Sequence, residues 1–295
     1  MSTEQQTSST VTSIHAGTHI GLVTLRVADL ERSRRFWEGI LAFQPIALET
    51  GRVVLGSQDK EPLVELIEVP GAAQQPRRAT GLYHVAILFP TRADLGRELL
   101  RVAGAGIKIC QGDHLVSEAL YISDPDDNGI ELYRDRPRSG WHWTNGSVEM
   151  ATDPVDIREL VEEGQRDAES WEVIPAGTRV GHIHLQVGDI QQARAFYNGV
   201  LGFDVTADLS QHGALFVSAG GYHHHIGLNT WHSRGAKPTP ENAAGLQRYV
   251  IAIPSREGLQ EVKARLVAHE VAFEEEDDLI RVDDPWSNHI ILKVE

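Results

Sequence analysis

The stretch Leu22–Phe43, L-V-T-L-R-V-A-D-L-E-R-S-R-R-F-W-E-G-I-L-A-F, returns at His182–Phe203 as H-I-H-L-Q-V-G-D-I-Q-Q-A-R-A-F-Y-N-G-V-L-G-F. Leu25, Val27, Asp29, Arg34, Phe36, Gly39, Leu41 and Phe43 recur at Leu185, Val187, Asp189, Arg194, Phe196, Gly199, Leu201 and Phe203. Each copy opens with the period-two alternation of a half-buried strand. An aspartate then caps a helix whose apolar residues fall at helical spacing. A repeat at this distance makes the unit a module that the chain uses more than once.

Two further copies are more divergent. G-L-Y-H at Gly81–His84 is echoed by G-L-Q-R at Gly245–Arg248, Pro90 by Pro254, and Asp124-Pro125 by Asp284-Pro285. Thr91 to Asp94 has the pattern of a capping box before a helix through Leu95, Leu99 and Val102. The expected fold is α+β, with four βαβββ modules forming two open, cup-shaped, β-barrel-like units. The expected domains are 18–135 (modules 18–69 and 80–135) and 179–295 (modules 179–231 and 245–295). They are joined by a linker, 136–178, whose one helix is expected from Pro154 to about Glu163, with Asp153 as cap and Gly164 as stop.

Composition narrows the function. The 295 residues carry 42 acidic and 27 basic side chains, a formal charge of -15, which repels phosphate backbones and anionic lipid. Nucleic acid and membrane are therefore not expected as partners, although a homo-oligomer is compatible. The one cysteine, Cys110, can form neither an intrachain disulfide nor a thiolate cluster, which suits a cytoplasmic protein. Met1 to Thr18 is rich in Ser, Thr and Gln, lacks the order of a signal peptide, and is expected to be a mobile tail.

The chemistry concentrates in Gly112–Tyr133, G-D-H-L-V-S-E-A-L-Y-I-S-D-P-D-D-N-G-I-E-L-Y. Asp124-Pro125 and Asp127-Asn128-Gly129 are turn chemistry, so His114, Tyr121 and Glu131 sit around a hairpin. Glu131, between Ile130 and Leu132, places a carboxylate in an apolar strand, a costly arrangement unless something binds there.

These residues resemble the signature of the vicinal oxygen chelate superfamily, and more narrowly that of type I extradiol ring-cleaving dioxygenases of the catechol 2,3-dioxygenase kind. The signature's His, apolar-Tyr pair, acidic-Pro turn and terminal Glu match His114, Leu120-Tyr121, Asp124-Pro125 and Glu131; Asp127 stands where Gly or Pro is usual. The resemblance implies Fe(II), with Mn(II) as the alternative, held by two histidines and one carboxylate. It also implies a small aromatic diol and O2 as substrates.

Carried through the repeat register, the first-strand residues of the four modules facing the metal are Leu22, His84, His182 and Arg248. Their last-strand counterparts are Glu65, Glu131, Gly227 and Ile291. Pairing the second module with the third unites His84, Glu131 and His182 as the metal set, and the long linker permits it because loop closure costs grow slowly with length. His184 shares the face of His182 and is the alternative ligand. In the run His223-His224-His225, alternation sends His225 into the cup as the acid/base residue, with His224 taking that role if the register slips. By the same resemblance His114 and Tyr121 contact substrate oxygens.

Two rivals stand beside this reading. One is a glyoxalase-like isomerase or lyase using Glu65, His84 and Glu131. The other is a non-catalytic small-ligand-binding protein of the resistance type.

Overall fold

The computed structural model describes residues 13–166 and 172–295. The first module runs β1 (His19–Val27), α1 (Leu30–Trp37), β2 (Gln44–Glu49), β3 (Arg52–Gly56) and β4 (Pro62–Glu68). The second runs β5 (Gly81–Leu88), α2 (Arg92–Gly104), β6 (Cys110–Asp113), β7 (Ser117–Ser123) and β8 (Gly129–Asp135). The connector holds a small hairpin, β9 (Trp143–Thr144) and β10 (Ser147–Val148), and α3 (Ile157–Arg166). The third module is β11 (Arg179–Gln186), α4 (Ile190–Arg194), β12 (Asp204–Leu209), β13 (Ala214–Ser218) and β14 (Ile226–Asn229). The fourth is β15 (Gly245–Ile253), α5 (Arg256–Ala268), β16 (Phe273–Glu276), β17 (Leu279–Asp283) and β18 (His289–Val294).

The strands of the four modules make two eight-stranded sheets, and each sheet draws one module from either half of the chain. One runs β16-β17-β18-β15-β1-β4-β3-β2; the other runs β12-β13-β14-β11-β5-β8-β7-β6. First strands join the modules at each centre, β1 antiparallel to β15 and β5 antiparallel to β11. The fold is thus α+β, with two curled sheets as cup-shaped units.

Strand parity divides the side chains. On β5, β7, β8 and β11 the apolar set Val85, Ile87, Leu120, Ile122, Ile130, Leu132, Ile183 and Leu185 enters one continuous core. The alternate residues Ala86, Ala119 and Tyr133 form a separate small cluster on the opposite face, with Tyr121 against it. That opposite face is the concave one that carries Glu131.

Helix ends obey local chemistry. Asp29 and Asp189 accept hydrogen bonds from Arg32 N and Gln192 N, and Thr91 caps α2 through Asp94 N, as their sequence patterns require. The connector helix departs from expectation. It begins at Ile157, with the Asp156 carboxylate accepting from Glu159 N at 3.0 Å. Asp153 is occupied instead in a backbone pair with Asp113. Gly164 lies inside the helix rather than ending it, because a Cβ there would stand 2.5 Å from the Gly96 carbonyl carbon. Glycine on both α2 and α3 permits this close crossing.

The expected N-terminal tail falls partly, at residues 1–12, outside the described residues. Within the rest, Ile14 is buried and donates its N–H to Gly202 O at 2.7 Å, so this part of the segment is anchored to the third module. Among the described residues, no helix is long and apolar enough to cross a membrane.

Candidate metal centre and its surroundings

Parity and pairing build the site. Glu131 on β8 is level with Ala86 on β5, which in turn is level with His182 on β11; His84 lies two residues before Ala86 on the same face. His182 Nε2 is 3.1 Å from Glu131 Oε2, and His84 Nε2 is 2.9 Å from the same oxygen. All three side chains are buried, and their donor atoms lie within 4.8 Å of one another. Of the two imidazoles, His84 Nε2 is off the line of a hydrogen bond despite its short distance and has no other partner among the described residues.

Electrostatics favours an ionised carboxylate beside a neutral His182 imidazole. Burial pushes Glu131 upward, but the neighbouring imidazoles, His182 first and then His84, outweigh it and hold the carboxyl well below its usual range. Burial depresses His182 to about 4, only partly offset by Glu131. Two imidazole nitrogens and one carboxylate oxygen in a dry wall are a donor set for a divalent transition metal. The orphaned His84 nitrogen fits such an ion.

His114 and Tyr121 come together beside the cluster. Tyr121 is the cross-strand neighbour of Glu131, and its hydroxyl is 2.6 Å from His114 Nε2. His114 Nδ1 is 2.7 Å from the Ala151 carbonyl, which can only accept, so Nδ1 carries the proton and a neutral ring receives the Tyr121 O–H at Nε2. Burial, and then the Glu131 charge, hold the Tyr121 phenol well above its ordinary value. The hairpin turn supporting this strand pair is fastened by Asp124, which accepts from Asp126 N, Asn128 N and Asn128 Nδ2. Asp127 takes the left-handed backbone there at φ 62, a conformation aspartate tolerates.

His184 is also in the cup but stands apart from the three converging donors. Its Nε2 is 3.1 Å from Asn229 Nδ2, and its ring lies over Gly227, where any Cβ would meet the ring at 2.9 Å. Gly227 therefore makes room for an imidazole rather than supplying a ligand. Tyr83 and Trp231 flank the His184 ring at 5.0 and 5.7 Å between centroids.

The histidine run is arranged differently from expectation. The ring that packs on His182, at 4.1 Å between centroids, belongs to His224. His225 is engaged elsewhere, its Nδ1 2.9 Å from Ser218 Oγ and accepting from Ala219 N, with its ring against Tyr222. The physical reason is that β14 starts only at Ile226, so strand alternation does not extend back through the run. Burial, followed by the neighbouring histidines, depresses His224 well below the ordinary imidazole value.

Four residues outside the expected set complete the surroundings: Asp135, Tyr133, Tyr222 and His223. Tyr133 could have been found, since it shares the face of Glu131 two residues on; its ring packs 4.8 Å from that of His182. Tyr222 and His223 lie in an irregular segment and leave no periodic signal.

Glu65, required by the glyoxalase-like set, is in the other sheet. There it is fully buried, accepts from Thr24 Oγ1 at 2.6 Å and pairs with Arg52 and Arg248. It cannot join His84 and Glu131.

Comparison with known proteins agrees with this architecture. The model of the Glyoxalase/Bleomycin resistance protein/Dioxygenase superfamily matches residues 19–132 and 179–285. The chain is 47% identical over 286 residues to the Catechol-2,3-dioxygenase of Bacillus subtilis (strain 168), spanning 96% of this chain and 100% of that one. Among solved structures, a Bacillus subtilis subsp. subtilis str. 168 protein aligns with TM-score 0.63 at 11% identity, covering 96% of this chain and 86% of its own. Glyoxalase I from Zea mays aligns with TM-score 0.56 at 14% identity, covering 94% and 92%. These two likenesses concern the fold alone. With the repeated modules, the concave His-Glu-His cluster and a family match over both halves, the chain belongs to the glyoxalase, bleomycin resistance protein and dioxygenase superfamily.

Proposed function

We propose that the protein is an extradiol ring-cleaving dioxygenase. It opens a catechol-type aromatic diol beside its two hydroxyls and inserts both atoms of O2 to give a muconic semialdehyde. The observation that carries this reading is the convergence of His84 and His182 on one oxygen of Glu131, with Tyr121 on the adjoining strand and His114 bonded to it from the turn before that strand. The identity to a catechol-2,3-dioxygenase over nearly the whole chain supports it.

In this reading His84, His182 and Glu131 hold Fe(II), and the cup of the second and third modules is the active one. Bound there, the ion would supply Lewis acidity toward the diol and a redox partner for dioxygen. The protein's own groups do the rest. His224, beside His182 and depressed by burial, is a neutral base able to take a diol proton and return it later. Tyr121, held protonated, gives its O–H to His114 Nε2 in the free site; with the diol bound, that O–H would turn to a substrate oxygen and leave His114 Nε2 free to take a proton. The apolar Ala86, Leu88 and Ala119 floor keeps water from the ring.

The test is anaerobic reconstitution with Fe(II), addition of catechol and then of air, followed by spectroscopy for the yellow ring-cleavage product. Turnover that depends on iron is the expected result. Stoichiometric metal with no turnover across simple catechols would sink the reading and favour a ligand-binding role.

A further inference from the structure

Behind His224 runs a chain of hydrogen bonds that ends on a carboxylate. Asp135 Oδ1, at the end of β8, is 2.9 Å from His223 Nε2 and 3.1 Å from the Tyr222 hydroxyl. His223 Nδ1 is 2.8 Å from His224 Nδ1, and the Tyr222 hydroxyl is 2.7 Å from that of Tyr133.

The direction of every bond follows from two premises: an ionised carboxylate has no proton to give, and a neutral imidazole carries one hydrogen. His223 must therefore donate through Nε2–H, and Tyr222 must donate through its hydroxyl. A neutral His223 then has only a lone pair at Nδ1, so His224 donates through Nδ1–H. Tyr222, having spent its proton on Asp135, accepts from Tyr133. The result for His224 is a bare Nε2, without a hydrogen-bond partner among the described residues, on the ring that packs against His182.

His223 has little freedom to do otherwise. It is fully buried, and its ring lies 4.1 Å from that of Tyr222, 5.2 Å from Trp141 and 6.2 Å from Tyr133. An imidazole packed this way can choose which nitrogen carries hydrogen but not where its nitrogens point. The carboxylate makes that choice.

We propose that Asp135 and His223 are positioning residues that, acting in series, fix the tautomer and orientation of His224 so that its Nε2 lone pair faces the metal cluster. The catalytic consequence rests on the ring-cleaving reading; the hydrogen-bond order itself does not.

Nitrogen NMR on the full-length chain labelled at histidine nitrogens, with the His224 signal assigned by its loss in His224→Gln, reads the tautomer directly. The expected spectrum places the His224 hydrogen on Nδ1 in the native protein and in Asp135→Asn, whose amide oxygen can accept the same two bonds. Asp135→Leu should mix the two tautomers. For catechol cleavage, Asp135→Leu should lower kcat about 10- to 100-fold with KM little changed and metal content intact, while Asp135→Asn recovers most of the rate.

A native His224 carrying its hydrogen on Nε2 overturns the relay, even in a protein that cleaves catechol. The expected tautomers in a protein that cleaves no catechol leave the relay standing and remove the ring-cleaving reading instead. Because the native spectrum is decisive alone, poor folding of Asp135→Leu does not spare the proposal.

Discussion

Arg248 donates to Glu65 Oε2 at 2.7 Å at the register where, in the other sheet, His182 stands beside Glu131. The correspondence is exact in pairing: Thr24 is level with both Arg248 and Glu65, as Ala86 is with His182 and Glu131. One cup keeps its carboxylate for two imidazoles. The other neutralises it with guanidinium groups, a fixed charge that leaves no lone pair for a metal.

Metal binding should therefore distinguish the cups. Equilibrium dialysis against Fe(II) or Mn(II), read by elemental analysis, should show one ion per native chain, none above background in His182→Ala, and an undiminished ion in Glu65→Gln. Loss of the ion in Glu65→Gln with retention in His182→Ala would reverse the assignment.

His114 and Tyr121 should behave as one unit. Tyr121→Phe and His114→Ala are each expected to lower kcat by about 100-fold or more with metal retained. Because the two share a hydrogen bond of 2.6 Å, the double substitution should cost little beyond either single one. Fully additive losses in steady-state kinetics would show that they act separately.

Stability should decline with rising pH through Glu98. This fully buried carboxyl on α2 has no hydrogen-bond partner among the described residues, and Arg101 Nε is 3.8 Å away. Burial, only partly countered by Arg101, pushes it from 4.5 up to about 8. With the folded-state value raised, its contribution is fully present below about 4.5 and lost as pH climbs through about 8. Denaturant midpoints across that window should fall more for the native chain than for Glu98→Gln, which should be the more stable protein at pH 8.5. Parallel curves would remove Glu98 as the cause.

The α2–α3 crossing should not tolerate a methyl group. Gly164→Ala is expected to destabilise by about 1–3 kcal/mol through overpacking against Gly96. An unchanged thermal midpoint would mean that the helices separate at no cost.

How much of this was legible beforehand depends on whether the signal was local. The module repeat, the helix caps at Asp29, Thr91 and Asp189, and the hairpin of β7 and β8 are written in neighbouring residues. A strand's alternation is equally local, so once the family resemblance named a two-histidine, one-carboxylate set, the repeat register could carry it to His84, Glu131 and His182. Helix α3 was placed too early because Asp153 and Asp156 are both acceptable caps. A backbone pair with Asp113, far away in sequence, occupies the first.

The amino-acid order thus determined the modules, the faces of their strands and the carboxylate set in an apolar strand, because a period of two needs no tertiary partner to be expressed. Only the tertiary structure decided which imidazole of His223-His224-His225 packs on His182. That run lies before the regular strand β14 begins, and its three rings are distributed by Asp135, Ser218, Tyr222 and His182. Those partners come from three other strands and a loop, and no sequence period links them.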